Sequence, residues 1–275
     1  MEIKDKVAIV TGAAVGIGRA YAYALADAGA AAVALADVDE AGLGETASGV
    51  EQRGAKALVA RVDVTDPSQL ESLFNDVEQQ FGGIDIVFNN AGVMCGDPQW
   101  PATPLSRIQT VVSVNLLGVM YGTRLAIDAL ARRGGGVVVN TASVAAFSTM
   151  PADPMYSATK AAVVNFTQSC APLADTHNVR VNAVLPGVTE TAILAKSGDG
   201  KTPAAWLAPL LDRVAKLQPE DIAAAALELV IDDSRSGESV VVNNPLAEGE
   251  THAVDRLVDR SAFLDYALTR ANPPR

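Results

Sequence analysis

Tyr156 and Lys160 stand four positions apart, a spacing that sets a phenol and an ammonium on one face of a helix. A free phenol, with a pKa of about 10, is a poor base at neutral pH. An ammonium about 4 Å away contributes roughly 4 kcal/mol in an intermediate dielectric, about three pKa units at the upper limit. Such a pair can take up and return a proton near working pH. Ser143 precedes Tyr156 by thirteen positions, at the carboxyl end of a predicted strand, where sites on α/β sheets assemble. Its hydroxyl can hold a reacting oxygen beside the phenol. By itself a Tyr-x-x-x-Lys pair is usually an ordinary exposed helix pair, so it gains meaning only from what accompanies it.

A glycine turn, Thr11-Gly12-Ala13-Ala14-Val15-Gly16-Ile17-Gly18, accompanies it. Glycine at 12, 16 and 18 lets the backbone turn sharply, approach a pyrophosphate closely and pack a helix against a strand. The free N–H groups and positive dipole of a helix opening near Gly16, with Val15 and Ile17 on either side, hold phosphates without a lysine. Asp37 follows Gly18 by nineteen positions at the end of the next strand. A carboxylate there accepts hydrogen bonds from both adenosine ribose hydroxyls and repels a 2′-phosphate. Ala36, Val38 and Val15 are not basic, so the pattern points to NAD rather than NADP. The alternative for Asp37 is a helix cap, a role that Asp39 also suits. The oxidised nicotinamide ring would add a second positive charge to that of Lys160 near the phenol.

These side chains need a scaffold, and the chain alternates short apolar runs with longer amphipathic segments. The runs at 7–10, 32–36, 57–62, 84–88, 137–140 and 179–184 are rich in Val and Ile and lack alternation, as parallel strands buried on both faces do. Between them the pattern predicts helices over 16–29, up to about 53, from Asp66-Pro67 to about 82, over 105–132 and over 155–175. A helix over 219–231, a last strand over 239–242 and an amphipathic segment over 251–270 complete the expectation. The repeated strand–helix unit argues for an α/β fold, a doubly wound parallel sheet with helices on both faces. No linker divides the chain, so one domain is expected, with an irregular region over 188–216 and an extension over 244–275.

Thirty-two acidic against twenty-one basic residues give a formal net charge of -11. That surface repels phosphate backbones and anionic lipid, so neither nucleic acid nor a membrane is expected as partner. Cys95, Cys170, His177 and His252 are too few and too scattered for a disulfide framework or a metal site. The charged start, Met1-Glu2-Ile3-Lys4-Asp5-Lys6, does not read as a leader, and a reducing, cytoplasmic setting is expected.

Taken together, the glycine turn, Asp63-Val64, Asn89-Asn90-Ala91-Gly92, then Asn115, Ser143, Tyr156 and Lys160 in order, and Pro186-Gly187 with Thr191, resemble the short-chain dehydrogenase/reductase family over essentially the whole length. The resemblance implies a Rossmann fold with a seven-stranded parallel sheet and an Asn–Ser–Tyr–Lys catalytic tetrad. It makes Tyr156 the acid/base and Ser143 the group that steadies substrate. It has Lys160 grip the nicotinamide ribose and lower the phenol pKa, and Asn115 anchor a water in a relay to Lys160. It also implies that Asp63 and Val64 flank the adenine, that Asn89, Ala91 and Gly92 line the nucleotide, and that Pro186, Gly187, Thr189 and Thr191 cover the carboxamide. Glu190 departs from the usual carboxamide segment, and Val15 stands where Ser is common.

Candidate pocket walls are Val93 and Met94, 145–155 and 188–211. Their apolar members Met150, Met155, Ile193, Leu194, Trp206, Leu207 and Leu210 suit a hydrophobic ketone or secondary alcohol. Trp100 reads as pocket rim or loop staple. Thr191-Ala192-Ile193-Leu194, Ile231-Asp232-Asp233 and the tail look similar to the 15-hydroxyprostaglandin dehydrogenase-like branch. That branch tends to carry an amide three positions before the tyrosine, where this chain has Asp153, which argues against a prostaglandin substrate. The expectation is an NAD-dependent alcohol dehydrogenase or ketone reductase. The rivals are an NADPH-dependent 3-oxoacyl-carrier-protein reductase and an NAD-sensing regulator without turnover. Apolar residues on more than one face of the helices over 105–132 and 155–175, together with the resemblance, imply a homodimer or homotetramer.

Overall fold

Alternate residues of each strand enter opposite cores. The computed structural model describes residues 1–245, and the amphipathic segment expected over 251–270 lies outside the described residues. In β1 (Val7–Thr11), Ala8 and Val10 join one apolar cluster, while Val7 and Ile9 join the other. The central strands are therefore dry on both faces, which is why they read as unbroken apolar runs, whereas the run expected to be buried at 57–62 falls on an edge strand with Lys56, Val59 and Arg61 exposed. The remaining strands are β2 (Ala32–Asp37), β3 (Lys56–Arg61), β4 (Ile86–Asn89), β5 (Gly136–Thr141), β6 (Val179–Pro186) and β7 (Ser239–Val242). They pair in parallel in the order β3-β2-β1-β4-β5-β6-β7. The seven-stranded Rossmann sheet expected from the sequence is what forms. Its order reverses between β1 and β4, the switch point at whose carboxyl ends such folds bind ligands.

One face is covered by α1 (Gly16–Asp27), α2 (Glu40–Gln52) and a helix over Pro219–Ile231, the other by α3 (Pro67–Phe81) and the helices that follow β4 and β5. Local signals set the boundaries. Asp39 caps α2 by accepting from the Gly42 N–H, and this leaves Asp37 for another role. Asp66 caps α3 ahead of Pro67, and Gly82 ends it in the left-handed region.

The helix expected over 105–132 has a more complex form. It runs as α4 (Leu105–Val112), a single π turn (Ser113–Leu117) and α5 (Gly118–Arg133), with Asn115 inside the widened turn. By length and composition 105–133 could cross a membrane, yet Val111, Val119, Ala126 and Leu130 are buried in the protein's own cores. The helix expected over 155–175 stops at Ser169: α6 (Pro154–Ser169) is followed by the short α7 (Leu173–His177), because Pro172 cannot continue it.

Under the site, a chain of buried amides and hydroxyls crosses from sheet to helices. Asn89 Nδ2 donates to Asn140 Oδ1 at 2.9 Å and to Thr123 Oγ1 at 3.1 Å, and Asn140 Nδ2 donates to Thr167 Oγ1 at 3.0 Å. Every member is buried. Losing one partner would leave an unsatisfied polar group at a cost of about 1–3 kcal/mol, so the network fixes how α5 and α6 sit on the sheet.

Candidate active site

The glycine turn emerges from β1 with its carbonyls held from behind. Thr46 Oγ1, on α2, donates to Ala13 O at 2.9 Å, and Arg19 Nε donates to Ala14 O at 3.1 Å. Asn90 Nδ2 donates to Thr11 O and Gly12 O, while Thr11 Oγ1 accepts from the Asn90 and Ala91 N–H groups. Gly12 has φ +66°, and a Cβ there would meet Ala91 Cα at 2.9 Å; a Cβ on Gly18 would collide with the Gly12 carbonyl. No side chain caps α1 at Val15, and its first turn carries no acid. The turn is thus a concave backbone cradle ending in an uncapped helix N-terminus, the form that takes a pyrophosphate.

Asp37 stands at the rim of this cradle. Its Oδ2 accepts from the Ala14 N–H at 3.1 Å, and its Oδ1 accepts from Val38 N at 2.7 Å and Asp39 N at 3.2 Å. The carboxylate is aimed and held at a half-buried position, with lone pairs left for ribose hydroxyls. Beyond β3, Asp63 accepts from Thr65 N and Oγ1, and Val64 is buried against Gly118. An NAD-like dinucleotide fits this donor and acceptor set: phosphates at the cradle, ribose at Asp37, an adenine edge at Asp63-Val64.

Asn89, expected to line the nucleotide, has only its backbone left for that role. Its side chain is turned into the buried network and does not line the cleft; Asn90 is the amide that braces the glycine turn.

The catalytic candidates converge at the carboxyl ends of β4 and β5. Asp153 caps α6 and starts the helix so that Tyr156 and Lys160 share a face. The Ser143 hydroxyl donates to Pro186 O at 3.4 Å and accepts from Ala145 N at 3.1 Å, and it stands near enough to the Tyr156 phenol to favour its ionised form. Lys160 Nζ donates to the Thr141 carbonyl at 2.8 Å and lies 5.7 Å from the Tyr156 ring centroid. The ammonium therefore lies on the same side of α6 as the Tyr156 ring and is anchored to the end of β5. Burial pushes the phenol up to about 12 and the ammonium down to about 8. The Ser143 hydrogen bond opposes the first shift, and Asp153 adds to it. In the chain alone, desolvation outweighs the expected lowering of the phenol by Lys160.

Asn115 is fully buried. Its amide donates to Val93 O at 2.9 Å and Thr159 Oγ1 at 3.3 Å and accepts from Val93 N at 2.8 Å. Both amide hydrogens are taken, so a water relay there has only the second Oδ1 lone pair and the backbone to draw on. Gly92 lies between this amide and Lys160: a Cβ would sit 3.5 Å from both Asn115 Oδ1 and Lys160 Nζ.

The segment after β6 returns to the glycine turn. A Cβ on Gly16 would stand 3.0 Å from Thr191 Cγ2, and buried Thr189 bridges to Leu217. Glu190 pairs with Lys216 at 2.6 Å, away from the cleft chemistry. Asn244 Oδ1 accepts from Val188 N at 2.7 Å, and its Nδ2 donates to Val188 O and to Ala215 O at 3.0 Å. Two asparagines after a strand read as a turn, so Asn244 was missed by sequence reasoning, as were Arg19, Thr46 and the Thr141 carbonyl. Of the wall candidates, Met94, Ala145 and Leu207 are buried, whereas Leu210 is exposed. Trp100 is about half exposed and donates from its backbone to Ala152 O, which makes it a staple between loops.

The sequence profile of the short chain dehydrogenase family matches residues 6–202, and the chain belongs to this family. It is 35% identical over 234 residues to 3beta-hydroxysteroid dehydrogenase 1 of Eggerthella lenta, covering 85% of this chain and 89% of that one. It is 37% identical over 250 residues to the NAD(+) 15-hydroxyprostaglandin dehydrogenase of Bos taurus, covering 86% and 90%. A solved structure of 7 alpha-hydroxysteroid dehydrogenase complexed with NADH and 7-oxo glycochenodeoxycholic acid superposes with a TM-score of 0.80 at 27% identity, covering 91% of this chain and 98% of that one.

Proposed function

We propose that the protein is an NAD-dependent dehydrogenase that interconverts a mainly apolar secondary alcohol and its ketone. The observation that carries the reading is the meeting of Ser143, Tyr156 and Lys160 at the carboxyl ends of β4 and β5, beside the cradle at which Asp37 is aimed. NAD, when bound, supplies the hydride acceptor. The Ser143 hydroxyl orients the substrate oxygen, and Tyr156 takes the alcohol proton at its phenolic oxygen as the carbinol hydride leaves. Lys160 holds positive charge near the phenol and donates to the nicotinamide ribose, while Asn115 keeps the Val93 backbone and Gly92 in register with it. The segment 188–216 covers the cleft, with Thr189 and Thr191 near the carboxamide. The relatives named above act on hydroxyls of large apolar frameworks, which supports a substrate of that kind. Free thiols at Cys95 and Cys170 suit a reducing, cytoplasmic setting.

The test is a panel of secondary alcohols and ketones, hydroxysteroids included, followed by NADH absorbance with both cofactors. Because Asp37 opposes a 2′-phosphate, NAD(H) should outperform NADP(H) by about tenfold or more, about 1.4 kcal/mol. Asp37→Ala with Val38→Arg should shift the preference toward NADP(H). Equal or better kinetics of the unaltered protein with NADP(H) would reject the cofactor assignment.

The protein is further proposed to assemble as a homodimer or homotetramer. The structure narrows the apolar excess behind this idea: Val111, Val119, Leu130 and Val164 are buried within the chain, and Val112, Leu116, Leu125 and Phe166 are partly so. Leu105, 83% exposed, is the large apolar side chain left at the start of α4. Light scattering should give a multiple of 28.4 kDa, and the monomer mass would reject assembly.

A further inference from the structure

Two carboxylates are buried among the described residues. Asp85 meets Lys6 and Arg133. Asp153, 3% exposed, forms no ion pair among the described residues and sits three positions before Tyr156. A buried charge without a cation is costly unless N–H groups and dipoles replace the water it has lost. Here they do. Asp153 Oδ1 accepts from Tyr156 N at 3.1 Å, at the positive end of α6, and Oδ2 accepts from Cys95 N at 2.8 Å. The Cys95 thiol lies near the same carboxylate, and burial together with Asp153 pushes that thiol up to about 12, so it keeps its proton. Behind it, Arg107 Nη1 donates to Cys95 O at 3.2 Å. Ser or Asn would cap the helix without a buried charge, so capping alone does not explain the residue.

We propose that Asp153 is a positioning residue of the hydride-transfer site: its carboxylate straps the loop after β4 to the first turn of α6, and it sets that carboxylate on the backbone of the residue that carries the phenol. The proposal rests on the function assigned above. The strap joins the pocket wall at Met94 and Cys95 to the helix that carries both Tyr156 and Lys160. The resemblance to the 15-hydroxyprostaglandin dehydrogenase-like branch ties this position to substrate choice; burial and backbone partners point to a role in the frame.

The groups that set the Tyr156 proton come from several elements. Ser143 lies at the end of β5 and Lys160 on α6 itself. Asp153 lies at the cap of α6, with Cys95 on the loop after β4 and Arg107 on α4 behind it. Of these, Asp153 is the one carboxylate. It disfavours the phenolate, so removing its charge lets the phenolate form at lower pH.

Asp153→Asn removes the charge and leaves one acceptor oxygen for two N–H groups. Asp153→Ser keeps a cap for Tyr156 N but is too short to reach Cys95, and it serves if the first variant does not fold. In alcohol oxidation the rising limb of kcat/KM should move to lower pH by about one unit in either variant. KM should rise more than kcat falls, because the pocket wall is released while the tyrosine remains. Hydrogen exchange over 93–103 should quicken with no such change in β1 and β2. A folded variant whose limb stays in place overturns the charge role. Unchanged exchange over 93–103 overturns the strap. If the unaltered protein oxidises no alcohol, the functional reading has failed, and the exchange result still decides the strap.

Discussion

Replacing Tyr156 with Phe should lower turnover by about a hundredfold or more while NADH still binds. The variant keeps the half-buried ring and loses only the hydroxyl near Ser143, so packing should be preserved while proton transfer is lost. Single-turnover kinetics with NADH fluorescence separate the two effects. Near-normal turnover would show that another group moves the proton. The unaltered protein carries a related signature. With the phenol held up to about 12 by burial, the positive charge of oxidised NAD is what must bring it down. By linkage, a phenolate forms more readily with NAD than with NADH bound, so NAD binding should release protons and tighten as pH rises. In the Phe variant that contribution should vanish.

Lys160→Met should likewise cost about a hundredfold or more in turnover and weaken NADH binding, yet it should stabilise the free protein. Burial holds the ammonium at about 8, against 10.5 for a free lysine. Between those values the unfolded chain binds a proton that the folded chain has released, so stability rises with pH across that window. Below about 8 both states are charged, and the full penalty of burying the ammonium remains. A methionine of similar length removes this penalty at the loss of one hydrogen bond to Thr141 O. The net gain near pH 7 should be about 2 kcal/mol, shrinking as the pH approaches that of a free lysine. Urea denaturation at two pH values measures it. A variant less stable than the parent near pH 7 would mean that the ammonium supports the fold through contacts stronger than its desolvation.

The sheet was legible because strands buried on both faces need no polar residue: the Val- and Ile-rich runs, with Gly and Asp at their ends, leave little else to form. Asp39 and Asp37 are two positions apart, and only the structure separates the cap from the cradle rim. The π turn around Asn115 was not legible, since apolar periodicity continues smoothly across it while the hydrogen bonds slip by one residue. The side-chain role of Asn89 was not legible because a buried network and a nucleotide contact call for the same amide at the same strand end. For Lys160, helix spacing fixes a face shared with Tyr156 and not where a long side chain points. Here it reaches past the ring to a carbonyl of β5.

The segment after β6 leaves and returns at nearly the same point. Leu217 N donates to Val188 O at 2.9 Å, Glu190 N donates to Leu217 O at 2.9 Å, and Asn244 holds Val188 and Ala215 together. A loop whose feet are already joined can change length at little expense to the rest of the molecule, about 0.6 kcal/mol for each doubling. Selection can therefore rewrite what lies between those feet without disturbing strand pairing, cradle or proton-transfer cluster. Family members that share this stem should exchange their 190–215 equivalents as grafts, carrying substrate preference with the insert while cofactor preference stays with the recipient.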